Sequence, residues 1–244
     1  MRAIGWTDED IAYYQENGVN WNEEDDKYHL VSDDNKALYG VLTANNISTY
    51  KDRIVYLPKI DTSEKTTMSN MFSSCRSLVS IPQLNTSKVK NMYQMFNQCF
   101  SLHHIPELDT RNVTNMNNMF YQCSSLSYIS QLNTSSVTNM NSMFYNCSSL
   151  TSIPQLDTNN ATSISTVFSY CYSFTHVNIK NVKIALQLDS SSLLSKDSLL
   201  YLINNEAAES EITIKLAGYA YDRWATDPDI VAALANHPNI SLAK

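Results

Sequence analysis

A chain of 244 residues with a formal net charge of −7 and a pI near 5.1 can bury a sizeable core. Its acidity argues against a nucleic-acid partner, whose phosphates would repel it. Only 17% of residues are charged, so Asn, Gln, Ser and Thr supply most of the polar surface. No apolar run reaches the roughly 18–20 residues of a membrane-spanning helix, so membrane insertion is not expected. Residues 1–10 show neither an apolar signal core nor a lipid-attachment cysteine. The expectation is that a leader is removed or that no conventional export signal is used, which leaves a cell-surface or virion location open.

Residues 1–53 read as a helical N-terminal cap. Thr7 followed by Glu9 and Asp10 resembles a helix start, with acids where the helix dipole favours them. Ile11 and Tyr14 would face inward, and Gly18 would stop this helix. Residues 22–27 form a polar, acidic connector, and Ser32-Asp33-Asp34 would open a second short helix carrying Leu38 and Tyr39. Such a cap would cover the apolar end of the first repeat.

Residues 54–179 write one unit five times. Cys75, Cys99, Cys123, Cys147 and Cys171 recur every 24 residues, and Phe72, Phe96, Phe120, Phe144 and Phe168 keep the same interval three residues ahead. Ile60, Leu84, Leu108, Leu132 and Leu156 hold the phase, as do Thr62, Thr86, Thr110, Thr134 and Thr158. A fixed period in this range marks a solenoid, in which each unit buries its apolar side against its neighbours. Within residues 102–123, the first seven read as a small strand and its exit. Asp109 and Thr110 are of the type that caps helices, and Val113, Met116, Met119, Phe120 and Cys123 recur at three and four, predicting a helix of roughly three turns. Strands stack at about 4.8 Å whereas helices need about 8–10 Å, so such a stack would curve with its parallel sheet on the concave side.

Residues 180–244 keep the alternation in a looser register, as a divergent, repeat-like C-terminal cap. A strand is predicted over 184–188, then a helix capped by Ser195 and running through Leu199, Leu202 and Ile203. A strand over 212–216 follows, then a helix opened by Asp227 and Pro228, closed at His237-Pro238, and a last strand over 240–242.

The run Asn-Met-x-x-Met-Phe-x-x-Cys-x-Ser-Leu-x-x-Ile, as over residues 115–129, resembles the bacterial surface-protein repeats of gut bacteria and mycoplasma lipoproteins, a family related to the leucine-rich repeats. The match covers about half the chain, and the fifth copy departs from it at Ala161, Ile164, Val167, Phe174 and Val177. The resemblance implies an α/β, leucine-rich-repeat-like, right-handed solenoid with a parallel concave sheet, helices on the convex side and a cap at each end. It implies a binding or structural role and no reaction.

The periodic cysteines are expected to be buried and reduced, as small hydrophobes rather than redox or zinc groups. The methionine pairs, such as Met116 and Met119, fall at core spacing rather than in a soft-metal site. The column Asn91, Asn115 and Asn139 is expected to bond neighbouring backbone or solvent. Sequons such as Asn46, Asn112 and Asn239 follow from composition. His103 and His104 are adjacent, so a strand would send them to opposite faces and prevent a metal pair. No metal or cofactor is expected, and no catalytic motif is present.

Candidate ligand contacts are the variable column Tyr56, Ser80, His104, Tyr128, Ser152 and His176, with Tyr128 and His104 at its centre. Gln83, Glu107, Gln131 and Gln155 lie further along each unit and add hydrogen-bonding groups. The expected function is non-catalytic recognition or adhesion, with a protein or glycan held on the concave face. The alternative is a structural component of a phage tail or virion contacting neighbouring subunits, with an enzyme as a third reading.

Overall fold

The computed structural model describes residues 60–164, 166–205 and 211–244, three strand segments before residue 42, and residues 47, 51, 54 and 57. The three segments are β1 (Val19–Asn22), β2 (Lys27–Val31) and β3 (Leu38–Val41), an antiparallel sheet in the order β1-β2-β3. Val19 pairs with Leu30 and Trp21 with Tyr28. This corrects the helical reading: Leu38 and Tyr39, expected on a helix, lie in β3, and part of the expected connector is strand. The period-two placing of Val19, Trp21, Tyr28 and Leu30 is the stronger signal, because aromatic and β-branched residues suit a pleated surface. The helix expected over residues 7–18 lies outside the described residues.

The repeats hold the larger correction. Among the described residues between 61 and 179 there is no α-helix. In the third unit the amides of Met116, Asn118, Phe120 and Gln122 donate to Asn139, Asn141, Met143 and Tyr145 of the next coil at 2.7–3.0 Å. The amides between them, of Met119, Tyr121 and Cys123, close turns onto Met116, Asn118 and Phe120. A helix would send every amide to the fourth residue back along its own chain. Here Asn118 and Gln122 take φ of 55° and 60°, a left-handed conformation that turns alternate amides outward to the neighbour. Helix and turn run bury the same set, Val113, Met116, Met119, Phe120 and Cys123, which is why periodicity alone does not separate them. Each run opens on a local turn in which Asn91, Asn115 or Asn139 accepts from the amide two residues on. Single parallel bridges join the same column, from Thr67 through Asn91, Asn115 and Asn139 to Ser163.

The expected strand of each unit is likewise not a pleated one. Leu102, Ile105 and Leu108 are buried, and so are Leu126, Ile129 and Leu132. That is a period of three, which belongs to polyproline II rather than to a strand of period two. Both His103 and His104 are therefore exposed, instead of pointing to opposite faces. Among the described residues of the repeats, regular pairing is confined to β4 (Leu156–Asp157) with β5 (Ile179–Lys180), parallel, and the bridges. Without a helical layer in these coils, the unequal widths that would impose curvature are missing.

Three ladders hold the coils together. Phe72, Phe96, Phe120, Phe144 and Phe168 stack with centroids 5.2–5.7 Å apart and planes within 10°. The thiols of Cys99, Cys123, Cys147 and Cys171 each donate at 3.0 Å to the carbonyl of the phenylalanine 27 residues back. All five cysteines are buried and none forms a disulfide. Thr110 donates to the Asn133 carbonyl at 3.0 Å and accepts from the Asn133 amide at 2.8 Å. Thr62 and Thr134 make the same pair of bonds to Asn85 and Asp157. Thr110 is thus a clamp between coils and not the helix cap its neighbourhood suggested.

After the repeats the chain becomes regular: β6 (Leu186–Leu188), α1 (Lys196–Asn204), β7 (Ile212–Leu216), α2 (Gly218–Trp224), α3 (Pro228–Asn236) and β8 (Ile240–Ala243). The three strands form a parallel sheet, β6-β7-β8, with Leu186 opposite Ile214 and Ile212 opposite Ile240. Ser195 caps α1 by accepting from the Ser198 amide, and Asp227 caps α3 ahead of Pro228, as expected. The segment is tied to the last repeat by Ser198, whose hydroxyl accepts from the Val177 amide at 2.6 Å and donates to the Val177 carbonyl at 3.1 Å.

Candidate functional site

The candidate column lies on the extended segments of the coils. His104, Tyr128 and His176 are exposed, Tyr128 at 62%, because each falls between two buried positions of the period-three pattern. The bridge between Ser152 and His176 puts members of the column in direct register. The His176 ring lies 2.8 Å from the Thr175 hydroxyl. Tyr56 lies outside the described residues.

The second row turns out to be partly engaged. The Gln83 side-chain amide donates to the Glu107 carbonyl at 2.7 Å, and that of Gln131 donates to the Gln155 carbonyl at 3.0 Å. Gln155 instead donates to the Tyr201 hydroxyl of α1 at 2.6 Å. These glutamines stitch one coil to the next. Glu107 cannot, because a carboxylate has no hydrogen to donate, and its side chain makes no hydrogen bond or ion pair among the described residues.

An open cleft of about 650 Å³ sits at this break, lined by Gln83, Glu107, Asp109, Arg111, Gln131 and Asn133. A second interruption adjoins it. Thr86 is buried like its counterparts, but its hydroxyl makes no hydrogen bond among the described residues. By the pattern of Thr62, Thr110 and Thr134 its partner would be Asp109, which lines the cleft. Arg111 donates from Nε to Asp109 Oδ1 at 2.9 Å, and this hydrogen bond holds the Asp109 carboxyl below its ordinary range. The cleft therefore presents one engaged carboxylate, one unengaged carboxylate and a guanidinium that is mostly exposed. Sequence reasoning named Gln83, Glu107 and Gln131 but missed Asp109, Arg111 and Asn133.

Two spans of the chain, residues 45–127 and 99–198, match the family described as "Mycoplasma protein of unknown function, DUF285". Together they cover more than half of its length. The chain belongs to this family. A solved structure, the crystal structure of a T. pallidum leucine rich repeat protein (TpLRR), is similar with a TM-score of 0.51 and 18% identity, over 77% of this chain and 85% of that one. At that identity the likeness concerns the fold, which is leucine-rich-repeat-like with parallel strands and helices and no closed barrel. No curated protein matches the chain.

One further feature of this DUF285 chain was not foreseen. On the turn segments, Tyr121 and Tyr145 stack at 4.6 Å and 5°, Tyr170 meets Tyr145 edge-on at 5.0 Å, and Tyr172 meets Tyr170 edge-on at 6.1 Å. Partial burial and then the hydrogen bond with Tyr170 push the Tyr145 phenol above its ordinary value. Tyr121 and Tyr145 share a repeat position, whereas Tyr170 stands one residue later in its unit, so no single column of the sequence displays the four.

Proposed function

We propose that the protein is a non-catalytic recognition or adhesion module, built as a capped solenoid, which holds a protein or glycan along the extended segments of its coils. The observation that carries this reading is the cleft at Glu107. It opens where the otherwise regular bonding between coils is interrupted twice, at Thr86 and at Glu107, and leaves an unengaged carboxylate facing solvent. Structural units without a ligand gain nothing from such a break, whereas a pocket that orients a ligand needs a few unspent polar groups. His104 on the same coil and Tyr128 on the next supply exposed rings of the partly polar kind that suits recognition, with few rotors to immobilise. Gln83 and Gln131 hold the cleft walls in place.

The test uses immobilised protein and glycan arrays probed with the full chain and two variants. Glu107→Gln restores the residue its neighbours carry, so it should keep or raise the melting temperature while lowering ligand capture tenfold or more. The combined change of Tyr56, His104, Tyr128 and His176 to Ala should act in the same direction. Unchanged capture by both folded variants would place recognition elsewhere and favour a structural-component role.

A further inference from the structure

Of the five turn segments, the four at residues 91–101, 115–125, 139–149 and 163–175 contain no Asp, Glu, Lys, Arg or His, in a chain with 24 acidic and 17 basic residues; the first, at 67–77, carries Arg76, which lies over the Phe100 ring at the far end from the tyrosines. The surface of the four is made of Asn, Gln, Ser, Thr and Tyr. At one end of this uncharged face stand Tyr121, Tyr145, Tyr170 and Tyr172. The first two are half-buried against each other, while Tyr170 and Tyr172 are 44% and 54% exposed. Rings that stack in register along the coils offer their edges outward. Tyr170 lies at 66° to Tyr145 and Tyr172 at 70° to Tyr170, so the exposed rings leave the parallel stack and present ring surface in more than one orientation.

Tyr170 also breaks a local rule. It occupies φ of 64° at the position held by Ser74, Gln98, Gln122 and Asn146 in the other coils. Small or amide residues tolerate that conformation better than a bulky ring does. A strained residue that disagrees with its equivalents is the kind of departure found at functional sites. The neighbouring amides of Gln122 and Asn146 make no side-chain hydrogen bond within the protein among the described residues, so their donors and acceptors are unspent.

We propose that Tyr121, Tyr145, Tyr170 and Tyr172 form a platform for a neutral oligosaccharide. A sugar ring carries a face of C–H bonds, weakly positive, that packs on the negative face of an aromatic ring. Its rim of hydroxyls, each donor and acceptor, matches the Gln122 and Asn146 amides and the tyrosine hydroxyls. The absence of charge selects for a neutral chain, since a sulfated or uronic-acid polymer would be stripped of water with no compensating cation. This platform lies on the turn segments and is independent of the Glu107 cleft.

The test is calorimetric titration of the full chain with maltohexaose, cellohexaose, laminarihexaose and xylohexaose, each at 0.1 and 0.5 M NaCl. At least one should bind, with affinity unchanged by salt within a factor of two. Tyr170→Asn installs the residue that Asn146 represents at the same backbone geometry, and Tyr172→Ser installs that of Ser124 and Ser148. Each should lower affinity tenfold or more without lowering the melting temperature, while Tyr219→Ala, which removes an exposed ring on α2, should leave it unchanged. Absence of binding to all four sugars, binding that weakens with salt, or binding that survives both tyrosine changes would overturn the proposal. So would sedimentation showing that the tyrosines instead mediate self-association.

Discussion

The coils over residues 61–179 and the segment from 186 onward both stack their units, yet they are held by different bonds. In the coils, alternate amides leave their own unit and bond the next one, and buried threonines, thiols and phenylalanines repeat the contact 23 to 27 residues away. In the later segment α1 and α3 close their own backbone bonds and carry their own caps, Ser195 and Asp227. A coil therefore has little order except against a neighbour, whereas the helices bring part of theirs with them. The difference teaches that a repeat can dispense with regular secondary structure when an identical neighbour satisfies its polar groups.

The largest effect should come from removing what covers the last coil. Deleting residues 180–244 uncovers Phe174 and Val177, both buried, and removes the Ser198 hydroxyl from the Val177 backbone. The truncated chain should lose cooperative thermal unfolding by circular dichroism and aggregate on size exclusion. Deleting one internal unit, residues 106–129, rejoins coils whose contacts match and should only lower the melting temperature. The opposite ranking would mean the coils are self-sufficient, and the contrast between the two regions would fail.

Next comes a single ring. Phe120 is fully buried with a stacked ring 5.5 Å away on either side. Phe120→Ala should cost about 3–5 kcal/mol in urea unfolding. Ser195→Ala, which removes only the cap of α1, should cost about 1 kcal/mol. Equal losses would show that the ladder is no more cooperative than a local cap.

The thiols give the coils an alkaline pH dependence of their own, since all five cysteines lie in the repeats. Burial pushes Cys99, Cys123 and Cys147 well above the ordinary value, and Cys171 from 9.0 up to about 12. A folded value above the unfolded one means that the native state keeps a proton the unfolded chain releases. The stabilisation is therefore complete below the unfolded value near pH 9 and is lost as pH rises toward about 12. The urea midpoint should fall over that window, and it should fall less steeply in Cys123→Ala. A bulky thiol reagent at pH 8 should react with few cysteines in the native protein and with all five in urea.

Much of this was legible in the sequence, and its limits follow from the same contrast. The later segment was readable because caps and Pro228 announce α1 and α3. The helix α2 was missed because its N-cap, Ala217, offers no side-chain bond. In the coils the buried set was readable but its backbone was not, because Val113, Met116, Met119, Phe120 and Cys123 fit a helix and a turn run equally. The discriminating clue was the polar column of Asn118 and Gln122, whose left-handed φ is invisible until the neighbour's carbonyl is in place. The exposed positions His104 and Tyr128 followed from phase alone. The cleft did not, since it arises from what Glu107 and Thr86 fail to bond 24 and 23 residues away.

The smallest effect is the sharpest test of how the coils are joined. Thr86 and Thr110 occupy equivalent positions and are exposed by 2% and 1%, so they differ only in their partners. Thr110→Val leaves the Asn133 amide and carbonyl without the hydroxyl that serves both, and should cost about 1–3 kcal/mol. Thr86→Val removes a buried hydroxyl that has no partner among the described residues. Valine has nearly the same shape, so the change should be neutral or stabilise by up to about 1 kcal/mol, as the desolvation cost of the hydroxyl is relieved. Both are read from urea midpoints at constant m-value. If Thr86→Val is as damaging as Thr110→Val, the Thr86 hydroxyl is engaged in solution, the stack is unbroken beside Asp109, and the cleft loses one of the two interruptions that define it.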